Sequence, residues 1–354
     1  MENRDPLGRA DGVYHSMAPR RLSANEGMMM DLTKLTARTA VDLLRSGEVA
    51  PLEMVDAAVA RIESTDNQLN ALPTLCVERA REHAKKLTVP DPVGPGWLGG
   101  LPIAIKDLND VAGVRTTYGS PIFANHVPIR SDLMVENLEK HGAIVIGKSN
   151  APEFGHGATT FNEVFGQTRN PWNTSMTCGG SSGGSAVAVA TGQTWLATGS
   201  DLGCSLRTPA AFCSVVGLRP SPGRVARAPT RLPYDSLWVQ GPMARNVGDV
   251  ALMLDAMAGD HPADPISLVA PKIPFVSAVQ NPKAPKRVAY SGDLGGIVPV
   301  AKEVADLCSA AAARFCDLGA TVEEACPDLS DAREIFHVLR ANQFVGDLAP
   351  IIEE

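Results

Sequence analysis

The stretch Gly179-Gly180-Ser181-Ser182-Gly183-Gly184-Ser185 places four glycines and three serines in seven residues. Glycine adopts positive φ and lets another backbone or a ligand approach closely, and a serine hydroxyl can act as a nucleophile, a proton relay or a helix cap. The apolar residues 186–190 that follow directly predict a buried helix. A glycine loop that leads into a helix directs free N–H groups at whatever lies in the loop. The stretch therefore predicts a functional loop at the start of a helix.

Three interpretations of this loop follow from the residues alone. A phosphate-binding P-loop would end in Gly-Lys followed by Ser or Thr, and that ending is missing here. The nucleophile-elbow pattern G-x-S-x-G is matched at residues 180–184, but it requires a downstream acid and histidine, and only His261 and His337 follow. The third interpretation is a purely structural turn.

Hydrophobic periodicity around the loop predicts alternating helices and strands. Thr36 and Gly47 are typical of the start and the end of a first helix, and Pro51 is typical of the first turn of the next. Further helices are predicted at 77–87, 132–140, 186–190, 299–316 and 331–354, and strands at 101–107, 143–147, 194–198, 287–290 and 320–322. This alternation predicts an α/β fold with a mixed, largely parallel central sheet that helices cover on both faces.

The composition excludes several classes of protein. The 354 residues carry a formal net charge of −7, which argues against nucleic acid and anionic membranes as partners, and no apolar run reaches the ~18 residues of a membrane span. The seven cysteines are odd in number and show no C-x-x-C spacing, so neither a disulfide framework nor a zinc site is indicated. We therefore expect a cytoplasmic protein with no metal and no organic cofactor.

Both ends of the chain carry their own predictions. Residues 1–27 are of mixed charge without the apolar stretch of a signal peptide, and they are predicted to be a disordered tail, with the natural start at Met28–Met30. Residues 28–354 are predicted to form one domain. The last predicted helix is broken only near Pro350 and lacks a C-terminal capping signal, so we expect the C-terminal part of the domain to be missing.

A second glycine-serine turn and a lysine at the end of a predicted strand complete a longer pattern. Lys106 lies in Ile105-Lys106-Asp107, Ser181 lies in the first glycine-serine loop, and Ser205 lies in the segment DLGCSLRTPA at 201–210. Supporting blocks are found at 116–120, 147–154, 170–173 and 211–220. Because of these motifs, residues 31–354 resemble the amidase signature family. The resemblance implies that the chain has the fold of that family.

The resemblance implies a Ser–Ser–Lys relay. Ser205 would be the nucleophile, Ser181 the bridging serine behind a cis Gly180–Ser181 peptide bond, and Lys106 the base. The chemistry is consistent, because a serine needs a positioned base and a lysine buried at the end of a core strand can lose its proton. Ser182 would hydrogen-bond within the relay and hold Lys106 in place.

The second turn has its own implied roles. It would supply an oxyanion hole, built from the backbone N–H groups of Leu202, Gly203, Cys204 and Ser205. An ion pair between Asp201 and Arg207 would shape the turn. Cys204 departs from the family pattern, which usually has glycine before the nucleophile, and its side chain is expected to narrow the space beside the acyl carbonyl. We do not expect Cys204 to replace Ser205 as the nucleophile, because no base is better placed for it.

The leading hypothesis is an amidase that hydrolyses a carboxylic amide, an aryl amide or an ester to the acid and an amine, ammonia or alcohol. One alternative is the A-type glutaminase subunit of a Glu-tRNA(Gln) amidotransferase, which shares this signature. A further alternative is a truncated, inactive amidase remnant. The expected partner is thus a small-molecule amide, and the oligomeric state stays open, with a homodimer among the candidates.

Overall fold

A six-stranded sheet lies at the centre of residues 30–353, the part of the chain that the computed structural model describes. The predicted tail at residues 1–27 and the predicted start at Met28 lie outside the described residues. The strands are β1 (Thr74–Leu75), β2 (Pro102–Lys106), β3 (Ile144–Ser149), β4 (Phe161–Asn162), β5 (Gly166–Gln167), β6 (Leu196–Asp201), β7 (Val216–Gly217), β8 (Val239–Ala244), β9 (Arg287–Tyr290) and β10 (Thr321–Glu324). The α-helices are α1 (Ala37–Ser46), α2 (Pro51–Leu69), α3 (Val77–Lys86), α4 (Leu133–Lys140), α5 (Gly183–Ala190), α6 (Arg207–Cys213), α7 (Val247–Met257), α8 (Phe275–Gln280), α9 (Lys302–Ala313) and α10 (Ala332–Glu353).

The central sheet is mixed and mostly parallel in strand direction, as predicted. Its order is β1-β3-β2-β6-β8-β7. Strand β2 pairs in parallel with both β3 and β6, so that Lys106 lies opposite Ser149 and Ala104 opposite Ala197. Strand β8 runs antiparallel to β6 and β7, and β1 runs antiparallel to β3. Strands β2, β3, β6 and β7 therefore point one way, and β1 and β8 the other.

Alternating side chains of the strands build two apolar layers. Ile103 and Ile105 of β2 pack on one face, together with residues of α1, α4 and α7. Ala104, between them, packs on the other face with residues of α3, α5 and α6. This period of two is what a sheet buried on both faces requires. Helices thus cover both faces of the sheet, as the sequence predicts.

Local signals set several of the helix ends. Thr36 caps α1 by accepting a hydrogen bond from Thr39 N (3.1 Å), and Gly47 ends that helix with φ +74°. Helix α5 starts at Gly183, three residues before the prediction of 186. A Cβ on Gly184 would lie 2.4 Å from the backbone nitrogen of Asn150. Glycine at the start of α5 is therefore needed for the helix to lie against the end of β3.

The structure also departs from the sequence predictions. Strand β8 was not predicted, because it contains Gly241 and Pro242, residues that normally weaken a strand. Strand β6 extends to Asp201 instead of ending at 198. Helix α10 continues through Pro350, where a break was predicted, and α9 is shorter than the predicted 299–316. The longer β6 matters most, because it places Ser200 and Asp201 in the strand, at the edge where β2 ends.

Candidate active site

Lys106 is the centre of the site. It is the last residue of β2 and is fully buried. Its Nζ lies 2.7 Å from Ser181 Oγ, 2.9 Å from Ser182 Oγ and 3.0 Å from Ser200 Oγ. The structure thus brings Lys106, Ser181 and Ser182 together as the sequence predicts. It adds Ser200, which the sequence analysis missed because β6 was predicted to end before it.

The hydrogen bonds of Ser182 set the direction of proton donation. Its hydroxyl donates to the carbonyl oxygen of Ser200 (3.3 Å), and its oxygen accepts from the amide of Ser200 (3.2 Å). Ser182 Oγ must therefore accept, not donate, in its contact with Lys106. A neutral amine has two N–H bonds and one lone pair, so the lone pair of Lys106 is left for Ser181 or Ser200. The contact with Ser181 is the shorter of the two.

The charge state of Lys106 follows from its surroundings. Burial disfavours the ammonium form and lowers the pKa of Lys106 from 10.5 to about 7, while the nearby Asp201 carboxylate opposes this shift. A base with a pKa near the working pH is the most efficient proton acceptor. Lys106 therefore has both the geometry and the basicity of a general base.

Ser205 lies beside this cluster, in the turn between β6 and α6. It lines a cavity of about 490 Å³ together with Ser181, Ser200 and Gly180. The amide of Ser182 donates to the carbonyl oxygen of Ser205 (3.2 Å), which fixes the second turn against the first. The Gly180–Ser181 peptide bond is cis, as the resemblance implies.

Asp201 organises the second turn. Its carboxylate accepts from the amides of Cys204 (3.0 Å) and Leu206 (3.1 Å) and from two nitrogens of Arg207 (3.0 Å each). Arg219, which the sequence analysis missed, also donates to Asp201. The predicted ion pair between Asp201 and Arg207 is therefore present, and it is part of a larger network that holds the turn.

The contacts of Cys204 correct two predictions for that residue. Its amide donates to Asp201 and so does not face the cavity. Leu202, Gly203 and Ser205 line the cavity, whereas Cys204 does not. The physical reason is the backbone, which has φ +74° at Cys204. Of the four residues expected to form an oxyanion hole, Leu202, Gly203 and Ser205 are the ones that line the cavity.

We expect Asp201→Asn to lower the free energy of unfolding by about 2–4 kcal/mol, because it leaves buried donors without their charged acceptor. Burial by itself would raise the pKa of Asp201, but hydrogen bonds from Arg207 and Leu206 hold it below 3.8. Its stabilising contribution is therefore complete above the pKa of the unfolded chain, near 3.8, and is lost as the pH falls through the lower folded value. Urea unfolding at pH 7 and at a series of pH values below 3.8 measures both effects.

The matched control for this variant is Glu323→Gln. It removes the exposed ion pair between Arg287 and Glu323 (2.9 Å), which we expect to contribute less than about 1 kcal/mol. Equal losses for the two variants would contradict the structural role of Asp201.

A second buried network stands next to the first. Lys148 is fully buried, and its Nζ donates to Asp107 Oδ1 (3.0 Å) and to Thr116 Oγ1 (2.7 Å). The other oxygen of Asp107 accepts from the hydroxyl of Thr117 (2.6 Å). The neighbouring Tyr118 lines the cavity. The network thus links the segment before the cavity-lining Tyr118 to Asp107, the residue that follows Lys106.

The opposite wall of the cavity comes from α10 and from the segment before β8. The cavity-lining residues of these two parts include Arg227, Asp235, Phe336, Arg340 and Gln343. The ring of Phe336 lies 3.2 Å from the position that a Cβ on Gly203 would take. The last described helix therefore lies against the second turn and forms part of the cavity wall.

Two further observations bear on the class of protein. In residues 30–353, no helix is both long and apolar enough to cross a membrane. Over the same residues, no cluster of three His, Cys, Asp or Glu side chains is placed to hold a metal ion.

Comparisons with known proteins agree with this geometry. A family model described as Amidase matches residues 53–344. The chain is 38% identical over 323 residues to the A-type subunit of the glutamyl-tRNA(Gln) amidotransferase from Synechococcus sp. (strain CC9605), and the match covers 90% of this chain and 66% of that protein. It is 40% identical over 253 residues to the corresponding protein from Anaeromyxobacter dehalogenans (strain 2CP-C), covering 71% and 51%. The chain thus spans less than two thirds of the length of these relatives.

Solved structures show the same fold. A bacterial aryl acylamidase belonging to the amidase signature enzymes superposes with a TM-score of 0.81 at 31% identity, covering 90% of this chain and 67% of the other. The 6-aminohexanoate cyclic dimer hydrolase superposes with a TM-score of 0.76 at 30% identity, covering 83% and 61%. The fold and the sequence motifs therefore indicate the same family.

Proposed function

The chain belongs to the amidase signature family, and from that premise we propose that it cleaves a carboxylic amide through an acyl-enzyme on Ser205. The observation that carries the proposal is the buried Lys106 amine, 2.7 Å from Ser181 Oγ on the wall that Ser181 and Ser205 share. A lysine held neutral beside a serine is an activated base without a histidine.

In the proposed reaction, neutral Lys106 takes the proton of Ser181 while Ser181 takes the proton of Ser205. Ser205 Oγ then forms a bond to the amide carbon. The negative oxygen that develops is stabilised by the free amides of the second turn, and loss of one such donor typically costs about 10²–10³ in rate. The proton returns along the same path to the leaving nitrogen, the C–N bond breaks, and water hydrolyses the ester by the reverse relay. The step from Ser205 to Ser181 is part of the proposal.

Two substrate classes are supported by different observations. The curated relatives at 37–40% identity support an A-type subunit that releases ammonia from glutamine within a Glu-tRNA(Gln) amidotransferase. The aryl acylamidase and the cyclic dimer hydrolase, at 30–31% identity, support a hydrolase that acts alone on other amides. The higher identity of the first group favours the amidotransferase role.

Ammonia release by the purified chain, with and without the partner subunits of such a transferase, separates the two classes. Glutamine hydrolysis that appears only with the partners supports the amidotransferase role, and turnover of an aryl amide by the chain alone supports the hydrolase role. In both, we expect mass spectrometry of acid-quenched reactions to find the acyl group on the peptide that contains Ser205. A chain that melts cooperatively yet forms no adduct and turns over no amide, both with and without the partner subunits, would contradict the proposed function.

A further inference from the structure

Ser200 is held beside Lys106 by both of its backbone polar groups. It lies in β6, where it pairs with Gln240 of β8, and it is only 2% exposed. Its amide donates to Ser182 Oγ (3.2 Å), and its carbonyl oxygen accepts from the same hydroxyl (3.3 Å). The sheet and these two hydrogen bonds therefore fix the backbone from which the Ser200 hydroxyl reaches Lys106 Nζ (3.0 Å).

The protonated form of Lys106 makes use of every hydroxyl around it. An ammonium group has three N–H donors and no acceptor. Lys106 Nζ lies within hydrogen-bond distance of three hydroxyl oxygens, those of Ser181 (2.7 Å), Ser182 (2.9 Å) and Ser200 (3.0 Å). Each donor thus has one of these oxygens as its acceptor. Hydrogen bonds to a charged group are stronger than those between neutral groups, and a buried charged donor without a partner is costly.

The three hydroxyls differ in what else they do. Ser181 gives its proton to Lys106 in the proposed relay and takes the proton of Ser205. Ser182 is also bound to the backbone of Ser200 on both sides. The oxygen of Ser200 has no step in the relay, so it can accept a hydrogen bond from Lys106 before, during and after the proton transfer.

The charged groups near Lys106 are occupied elsewhere. The carboxylate of Asp201 opposes the effect of burial on the pKa of Lys106, but its oxygens accept from Arg207 and from two amides of the second turn. Asp107, the next residue in the chain, is bound to Lys148 (3.0 Å). The direct contacts of the Lys106 amine are therefore with the hydroxyl oxygens.

We propose that Ser200 is a positioning residue whose oxygen accepts the third N–H of protonated Lys106, and so stabilises the ammonium group that forms when Ser205 is activated. The inference rests on the proposed function, in which Lys106 is the base. An acceptor that is already in place needs no reorganisation as the charge develops. In the neutral amine, N–H bonds to Ser200 and Ser182 leave the lone pair directed at Ser181.

Ser200→Ala tests the inference in the full chain, with glutamine in the presence of the partner subunits and acetanilide in their absence as the two probes. A hydrogen bond to the charged form raises the pKa of an amine. Its loss should therefore lower the half-maximal pH of kcat/KM from near 7 by about one unit or more. The plateau should fall by about 10- to 100-fold, mainly through kcat. Ser200→Thr keeps the hydroxyl and should restore both values.

Ser185→Ala is the matched control. Ser185 is fully buried, and its hydroxyl bonds to Thr198 O (2.7 Å) of β6 and to Ser149 Oγ (2.6 Å) rather than to Lys106. We expect this variant to keep the half-maximal pH of the wild type, whatever its melting temperature. A loss of rate in Ser200→Ala without a lower half-maximal pH would show a merely structural role and would overturn the inference.

A direct titration separates failure of this inference from failure of the proposed function. NMR of the protein isotopically labelled at the lysine Cε, with the signal assigned by its loss in Lys106→Met, gives the titration midpoint of Lys106 without turnover. A lower midpoint in Ser200→Ala than in the wild type supports the inference, and an equal or higher one overturns it. If the wild type turns over neither probe, the proposed function fails and this midpoint still decides. Ser200→Cys, whose sulfur is a weak acceptor, takes the place of Ser200→Ala if the latter does not melt cooperatively.

Discussion

Ser205→Ala is expected to reduce amide turnover by about 10⁴-fold or more and to abolish the covalent adduct, while the melting temperature changes little. The reason is that alanine removes the atom that forms the acyl-enzyme, and the loss of a nucleophile typically has effects of this size. The side chain is only partly buried and lies on the cavity wall, so its removal leaves no void in the core. Steady-state rates and intact-mass analysis of quenched reactions measure the two effects.

Cys204→Ala is the comparison that makes this prediction specific. Both residues carry a nucleophilic atom in the same turn, but the structure places only Ser205 on the cavity wall. We expect the adduct to persist in Cys204→Ala. Loss of the adduct in Cys204→Ala with retention in Ser205→Ala would assign the nucleophile to the cysteine instead.

The second large effect concerns Lys106 and pH. Because the base acts only when it is neutral, kcat/KM should rise with pH and reach half of its plateau near pH 7, the value to which burial lowers the pKa of Lys106. Lys106→Arg keeps the charge on a group that stays protonated, and Lys106→Met removes the amine. Both variants should lose about 10³-fold or more at pH 8. The measurement is a pH–rate profile between pH 5 and 9 with each protein.

The pH–rate profile of the wild type tests the role of Lys106 more specifically than the loss of rate in the two variants. If Lys106 were only structural, both variants would still lose rate. The half-maximal pH of the wild type would then have no reason to lie near 7, the pKa of the amine. Near-full activity of Lys106→Met at neutral pH would show that another group accepts the proton. A cooperative thermal melt of each variant reports whether it is still folded.

Residues whose position depends on nearby sequence could be predicted. Residues whose position depends on how the strands pair could not. The strand ending at Lys106 and the glycine-serine loop carry strong local signals, so their places in the fold could be predicted, whereas the roles of their residues came from the family resemblance. Ser200 and Arg219 could not be placed, because their contacts depend on β6 extending further and on β8 pairing beside it. The Gly-Pro pair within β8 hides that strand from any pattern based on propensity.

The wall formed by α10 was equally inaccessible to sequence reasoning. The helix itself was predicted, but not the cavity that it would face. The cavity-lining residues of α10 have no motif around them, and their position becomes known only when the helix packs against Gly203. The amide of Cys204 is the converse example, because the family pattern suggested a donor that the fold gives to Asp201.

The complete burial of Lys106 behind Ser181 has a consequence for chemical labelling. Amine-directed reagents such as acylating esters would modify the surface lysines and leave this one untouched, although burial lowers its pKa to about 7. An electrophile that enters the cavity meets a wall that Ser181 and Ser205 line and Lys106 does not. Serine-directed electrophiles, and not amine-directed reagents, are therefore expected to label this site.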